Sequence, residues 1–158
     1  MANTRWLTPG EERSWRAYRS MRARLDLQLG RELADTSGLS ESDYDVLSAV
    51  SEADGHQCRL KELAASMLWS PSRLSHHIAR MEQRGLVKRE GCVSDGRGAV
   101  IVLTPHGWRT IQAAAPGHVA SVRRHLIDLL SPQEIKTLGA IGEKVVRHLN
   151  DVKSSGHR

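Results

Sequence analysis

The sequence predicts a mainly α-helical fold that carries one small β-hairpin. Apolar residues recur at spacings of three and four along most of the chain, which is typical of amphipathic helices. Helix starts are marked at Thr8-Pro9 and Ser70-Pro71, where a capping side chain precedes a proline at the first helical position. The hairpin is predicted from two short strand-like runs, Val87–Glu90 and Ala99–Leu103, with a polar segment between them.

Length and composition indicate one compact unit with a helical extension. The chain has 158 residues, of which 39% are hydrophobic and 26% charged, so it falls outside the disordered class. Its two cysteines cannot form a disulfide scaffold, its start lacks a basic-then-apolar signal, and its apolar runs are too short to span a membrane. We therefore expect a cytoplasmic protein with no membrane partner.

The first helix is expected from Pro9 to about Asp35, with Thr8 as its N-cap and Gly38 as its stop. One apolar stripe runs along it, formed by Trp15, Tyr18, Arg22, Leu25, Leu29 and Leu33. Ser40 caps a second helix, in which Asp43 completes a weaker capping box. The pair at 54–55, Asp-Gly, ends this second helix.

A helix-turn-helix pair follows, with a third helix at about Leu60–Leu68 and a fourth from Pro71 to about Arg84. Gly85 ends the fourth helix. Rotation by 100 degrees per residue divides the fourth helix into two sides. The inner side carries Leu74, Ile78 and Met81. The outer side carries Ser72, Arg73, His76, Arg80 and Gln83, with Ser75 and His77 on the flanks.

After the hairpin the helical pattern returns, from about Pro105 to Leu130 and again from Ser131-Pro132 to the frayed C-terminal end. These two segments share an apolar stripe, formed by Leu126, Ile127, Leu130, Leu138, Ile141, Val145 and Leu149. A core of this size offers too few partners for the stripe, so a second chain is its natural cover. Packing within the chain is the competing explanation.

A helix-turn-helix followed by a polar-tipped hairpin is the layout of a winged helix-turn-helix, whose second helix enters the major groove of DNA. The charges are polarised, because residues 37–58 hold five acidic and no basic side chains, whereas residues 59–97 hold eight basic and four acidic ones. Arginine can donate to guanine, and Ser, Gln and His can bond to base edges or phosphates. An ordinary solvated surface helix is the alternative interpretation.

The segment "DGRGAVIVLTPHG" at 95–107 resembles the D-x-R-x5-L-T signature of the MarR family of dimeric winged-helix transcription regulators. Asp95, Arg97, Leu103 and Thr104 are the matching positions. The segment "LKELAASMLWSPSRLSHHIARMEQRGLVKRE" at 60–90 is similar to the helix-turn-helix of the same family.

The resemblance implies that different segments of the chain serve dimerisation and DNA binding. Residues 1–36 and 105–158 would form a helical dimerisation region, and residues 37–104 the DNA-binding lobe. In this family the wing arginine enters the minor groove, which here implies Arg97, with Asp95 holding it in place. The alternative is that Asp95 and Arg97 only pair at a solvated hairpin tip. The full set of DNA-contact candidates is Lys61, Ser70, Ser72, Arg73, Ser75, His76, His77, Arg80, Lys88, Asp95 and Arg97, and Arg89 is a further phosphate contact or a plain surface charge.

Family members often bind a small aromatic or phenolic effector that weakens DNA binding. Candidate lining residues are Trp15, Tyr18, Arg22, Tyr44 and His118, where rings could stack and Arg22 could pair with a carboxylate. Such aromatic residues at helical spacing are also common in cores and interfaces.

No cofactor is required by this interpretation, and no metal site is predicted. Zinc is kept only as an alternative, because the spacings of His56-x-Cys58 and His76-His77 are not strong metal spacings. A redox role for Cys58 or Cys92 is left open.

The chain lacks a phosphate-binding Gly loop, a zinc protease motif and a nucleophile elbow, so we expect a regulator rather than an enzyme. The prediction is a homodimeric repressor of a pseudopalindromic DNA operator, relieved by a small molecule. A winged-helix module that binds other proteins without specific DNA binding is the alternative.

Overall fold

The structure confirms the mainly helical fold and its small antiparallel sheet. The computed structural model describes residues 4–91 and 98–155. The helices are α1 (Pro9–Ser37), α2 (Glu41–Glu52), α3 (Leu60–Ser66), α4 (Pro71–Gln83), α5 (Pro105–His125) and α6 (Pro132–Ser155). The strands are β1 (Gln57–Arg59), β2 (Val87–Gly91) and β3 (Ala99–Leu103), and short 3-10 helices cover Asp54–His56 and Ile127–Leu129.

Side-chain caps start the first two helices, as the sequence predicts. The hydroxyl of Thr8 accepts from the backbone N–H of Glu11, and the Glu11 carboxylate accepts from the backbone N–H of Thr8. Ser40 and Asp43 form the same reciprocal pair at the start of α2. Gly38 adopts the left-handed conformation, φ 68°, that ends α1.

Two helix ends differ from the prediction, and one strand was not predicted. The third helix ends at Ser66 and not at Leu68, because Leu68 takes a left-handed φ of 57° that no α-helix accommodates. The fifth helix ends at His125 and not at Leu130, because Leu126 leaves the helical region and a 3-10 turn follows. Strand β1, at 57–59, has no periodic signal over its three residues and was missed.

The sheet has the order β1-β3-β2, with both pairs antiparallel. Thr104 closes the base of the β2–β3 hairpin, which we call the wing, by donating from its hydroxyl to Gly85 O at 2.6 Å. The same hydroxyl accepts from the backbone N–H of Gly107. A side chain at Gly107 would meet Leu86 O at 1.9 Å, so only glycine allows α5 to start this close to β2.

The core lies inside the first compact unit of the chain, which covers residues 1–119. Its centre is formed by fully buried side chains of α2, α4 and the sheet. These include Val46, Leu47, Val50, Leu74, Ile78, Met81 and Ile101.

A second compact unit covers residues 120–158, so the division falls within α5. The functional division into residues 37–104 and the two flanking segments stays a prediction. None of the described helices combines the length and apolar character that crossing a bilayer requires.

Candidate nucleic-acid interface

Helix α4 is fixed by its cap and by its apolar side. The hydroxyl of Ser70 accepts from the backbone N–H of Arg73 at 3.2 Å, and Pro71 occupies the first helical position. Leu74, Ile78 and Met81 are completely buried, which confirms the predicted inner side. The opposite side is therefore held toward solvent by the packing of the core.

The outer side of α4 presents hydrogen-bond donors and acceptors to solvent. Exposed residues there are Ser72, Arg73, His76 and Arg80. Their exposure agrees with the predicted outer side, and it is what base or phosphate contact requires. Contact with DNA itself stays a prediction.

Both arginines of this surface are held by neighbouring rings. The guanidinium carbon of Arg73 lies 4.0 Å from the centroid of the Trp69 ring, in cation–π contact. Arg80 donates from Nη2 to Nδ1 of His77 at 3.0 Å. Trp69 in turn meets the His77 ring edge-on at 5.5 Å. These contacts reduce the freedom of two long side chains before any ligand is present.

The structure buries the side chain of His77, which the sequence places on the flank of α4 among the predicted DNA contacts. Its Nε2 lies 3.1 Å from Oδ1 of Asp43, and its exposed fraction is only 7%. Helical geometry could have shown this, since position 77 lies only about 60° from Leu74 and about 40° from Met81 around the helix axis.

Asp43 is a structural residue whose wider role the sequence analysis missed. Besides capping α2, its Oδ2 accepts from Nη1 of Arg84 at 2.7 Å. Arg84 also donates to Gly38 O at 3.1 Å, so the end of α4 is tied both to the start of α2 and to the end of α1. Only the capping role was visible in the sequence, because the partner lies 41 residues away.

Charge and burial act in opposite directions within this cluster. Burial disfavours the Asp43 carboxylate, but hydrogen bonds from Arg84 and Ser40 outweigh it and hold the pKa below its ordinary value. Burial is also the largest influence on His77, where it lowers the pKa despite the opposing attraction of Asp43. His77 is therefore neutral at pH 7, beside an ionised Asp43.

The wing is tied to α4 through Arg89. Its backbone N–H donates to Glu82 at 2.7 Å, and its guanidinium donates to the carbonyl and hydroxyl oxygens of Ser75 at 3.1 and 3.2 Å. Ser75 is half-buried, so it faces the wing strand as well as the predicted DNA side. Arg89 thus connects two elements, a role beyond the predicted phosphate contact.

The remaining cationic candidates are placed unevenly. Lys61 is exposed in the first turn of α3. Lys88 is exposed on β2 and forms an ion pair with Glu90. The wing-tip pair Asp95 and Arg97 lies outside the described residues, as does Cys92.

Comparison with known proteins identifies the family. The sequence profile described as "MarR family" matches residues 37–98, which contain the helix-turn-helix and most of the wing. The transcriptional regulator HosA of Escherichia coli is 31% identical over 102 residues, which cover 64% of this chain and 73% of HosA. The chain belongs to the MarR family.

Solved structures of MarR-family proteins share the whole architecture. AbsC, a MarR family transcriptional regulator from Streptomyces coelicolor, is 44% identical, with a TM-score of 0.90 over 94% of this chain and 99% of AbsC. Sco3205, also from S. coelicolor and solved in complex with DNA, is 38% identical, with a TM-score of 0.90 over 94% of this chain and 93% of Sco3205. These relatives are transcription regulators, the class predicted here in place of an enzyme.

The effector candidates of this MarR-family chain fall into two groups of contacts. Trp15 stacks on Tyr18 at 5.8 Å, with the guanidinium of Arg22 lying 5.9 Å from the Tyr18 ring on the exposed side of α1. Tyr44 and His118 meet at 4.3 Å, where Nδ1 of His118 is buried and finds no hydrogen-bond partner among the described residues. Burial raises the pKa of Tyr44, so its phenol stays protonated.

One groove of about 360 Å³ lies elsewhere on the first compact unit. It is lined by Thr36, Ser37, His106, Arg109, Thr110, Ala113 and Ala114. None of the five predicted effector residues lines it.

The metal and thiol alternatives gain little from the geometry. Among residues 4–91 and 98–155, no three His, Cys, Asp or Glu side chains are placed to hold a metal ion. Burial raises the pKa of the Cys58 thiol, which disfavours the reactive thiolate.

Proposed function

We propose that this MarR-family regulator is a homodimeric repressor that binds a pseudopalindromic DNA operator through α4 and the wing. The observation that carries this proposal is the two-sided character of α4. Its apolar side is completely buried, whereas Arg73 and Arg80 are exposed on the other side and held by Trp69 and His77. A solvated surface helix has no need of guanidinium groups held in fixed directions.

The surface suits a duplex in both shape and charge. A helix fits the major groove, where Arg73, His76 and Arg80 would contact base edges and Ser70 and Ser72 the nearby phosphates. Lys61 and Lys88 would add phosphate contacts, and Arg97 with Asp95 would serve the minor groove. Sco3205, which shares 38% of its sequence with this chain, was solved in complex with DNA and supports this proposal.

The proposed dimer rests on α6. A stripe of large apolar side chains along this helix is exposed in the single chain, with Ile141, Val145 and Leu149 each more than half exposed. Such a stripe is typical of a helix that a partner covers. Two-fold symmetry would place two copies of α4 about one DNA turn apart, roughly 34 to 36 Å.

The direct test is selection of bound sequences from a random duplex pool, at one fixed salt concentration because phosphate contacts make affinity salt-dependent. We expect enrichment of a site with two-fold related halves. Arg73→Ala should change the preference at one base pair in each half by about 1 to 3 kcal/mol. Salt-sensitive recovery of every sequence alike would contradict the proposal, and no binding would favour a protein-interaction module.

Relief by an effector is the second part of the proposal, supported by the ring contacts at Tyr18 and Tyr44. Benzoate and phenol are suitable probes, because only benzoate can pair with Arg22. We expect benzoate to weaken binding to the selected duplex, and Arg22→Ala to remove this response. The metal alternative is tested by adding a chelator and then Zn²⁺ to the same complex. An unchanged affinity for the duplex would exclude a metal-responsive regulator.

A further inference from the structure

A buried histidine connects the interior of the lobe at 37–104 to its outer surface. His77 lies on α4, yet its ring points inward and meets Asp43 of α2 through Nε2. Its other nitrogen, Nδ1, accepts the hydrogen bond from Arg80, which is exposed on the proposed DNA side. One ring therefore contacts a fixed carboxylate on one side and a surface guanidinium on the other.

The protonation of this ring follows from its partners. A guanidinium can only donate, so the Nδ1 that Arg80 contacts must carry a lone pair. The proton of the neutral ring then resides on Nε2, which lies 3.1 Å from Oδ1 of Asp43 but is too poorly aligned for a hydrogen bond. Lowering of the His77 pKa by burial keeps the ring in this neutral state at pH 7.

Asp43 is itself held in place, which makes it a firm support for the ring. Its other oxygen, Oδ2, accepts from Arg84 at 2.7 Å and from the backbone N–H of Ser40 at 3.0 Å. Both the carboxylate and the ring are nearly inaccessible to solvent. The position of Nδ1 is consequently fixed by the fold of the lobe rather than by solvent.

We propose that His77 is a positioning residue that holds Arg80 in the direction required to contact a base pair of the operator. This inference rests on the proposed function. An arginine side chain that is already ordered loses less conformational entropy on binding, so it contributes more to affinity and to discrimination between bases. A purely structural histidine would need only the contact with Asp43.

Two substitutions of His77 test the roles of the two ring nitrogens separately. In His77→Asn the amide oxygen can occupy the place of Nδ1 and accept from Arg80, while the contact with Asp43 is lost. In His77→Gln the longer side chain can reach Asp43, but no acceptor remains beside Arg80. The glutamine variant serves as the matched control for burial and for the structural contact.

Affinity for the selected duplex is measured for both variants, each with Arg80 present and with Arg80→Ala. We expect His77→Gln to weaken binding about tenfold, as loss of one charge-assisted hydrogen bond implies, and His77→Asn to stay within about twofold of the wild type. In the Arg80→Ala background neither substitution of His77 should change the affinity for the duplex by more than about twofold. The base preference lost in His77→Gln should be the one lost in Arg80→Ala.

A measurement on the unmodified protein needs no variant to fold. Nitrogen-15 NMR of the histidine ring distinguishes the two neutral tautomers, and we expect the proton of His77 on Nε2. A proton on Nδ1 would overturn the inference, as would equal effects of His77→Gln with and without Arg80. If the wild type shows no sequence preference, the proposed function fails and the inference with it. If the wild type keeps its sequence preference but the effects of His77→Gln and Arg80→Ala on affinity are additive, the inference fails and the proposed function stands.

Discussion

Helices α4 and α6 are both amphipathic, but only α4 has its apolar side covered within the chain. Leu74, Ile78 and Met81 of α4 are completely buried, whereas Ile141 and Val145 of α6 are 56% and 51% exposed. The same helical periodicity therefore does not by itself tell whether the apolar side is covered within the chain. In α4 the apolar side is buried in the core, and in α6 it is exposed in the single chain, where the proposed dimer would cover it.

The polar contacts of the two helices differ in the same way. Helix α4 is tied to distant parts of the chain through Arg84 with Asp43 and through Ser75 with Arg89. The cap of α6 is local, with the Ser131 backbone N–H donating to Glu134 three residues away. These contacts orient α4 within its own chain, and the exposed apolar side of α6 is the surface that the proposed dimer would cover.

The largest effect is expected from charging the exposed stripe of α6. Ile141→Asp combined with Val145→Asp would place carboxylates inside the proposed dimer interface, where desolvation is costly. We expect sedimentation to show a monomer, with affinity for the selected duplex reduced on the order of 100-fold because the two halves are no longer bound together. Arg147→Asp, on the opposite side of α6, is the control that should remain dimeric. A dimer that survives the double substitution would show that this stripe is not the interface.

Truncation of the buried side of α4 should have the next largest effect. Ile78→Ala removes a completely buried side chain and leaves a cavity, so we expect the free energy of unfolding to fall by about 2 to 5 kcal/mol. Urea denaturation measures this loss. Gln83→Ala, exposed on the same helix, should change stability by no more than about 0.5 kcal/mol. Equal losses at the two positions would remove the distinction between the sides of α4.

Acidification should weaken the lobe through His77. The folded-state pKa of this ring lies below its ordinary value of 6.5, so the unfolded chain binds the proton more readily. The contribution to stability is complete above pH 6.5 and is lost as the pH falls below that value, with a slope of up to about 1.4 kcal/mol per pH unit. Burial lowers the pKa of His77 most, the carboxylate of Asp43 on α2 opposes this, and the charges of Arg80 on α4 and Arg84 at its C-cap lower the pKa further.

Denaturation between pH 7.5 and pH 5 measures the slope, with His77→Asn as the control that lacks the titrating ring. The wild type should lose more stability than this variant over the range. Parallel curves for the two proteins would contradict the assignment.

The smallest effect is expected at Leu68, in the turn that leads into α4. This residue holds a left-handed φ of 57° although its side chain is 76% exposed. Glycine takes this conformation without steric strain, so Leu68→Gly should stabilise the protein by about 1 kcal/mol. Leu68→Ala keeps a Cβ and should bring no such gain. Thermal unfolding of both variants is the measurement, and a gain in the alanine variant would point to the exposed side chain instead.

Local signals account for most of what could be predicted from the sequence. Thr8, Ser40 and Ser70 act within three residues of their partners, so the helix starts were readable. The inner side of α4 follows from periodicity alone. Strand β1 was missed because it depends on pairing with β3, more than 40 residues away, as in Cys58 opposite Ile101.

The candidate site was less readable than the fold. Exposure of Arg73 and Arg80 follows from helical rotation, but their contacts with Trp69 and His77 depend on packing. The long-range partner of Asp43 carries no signal in a single sequence. Histidine is compatible with either side of a helix, which is why residue type misled the interpretation of His77.

The most direct test of the proposed regulator is the mass of its complex with the selected duplex in sedimentation equilibrium. We expect two chains in the free protein and two chains on each full duplex, with a duplex that carries only one half of the site bound much more weakly. A free monomer, a single chain per duplex, or equal affinity for the full and half sites would contradict a dimer that reads two half-sites with two copies of α4.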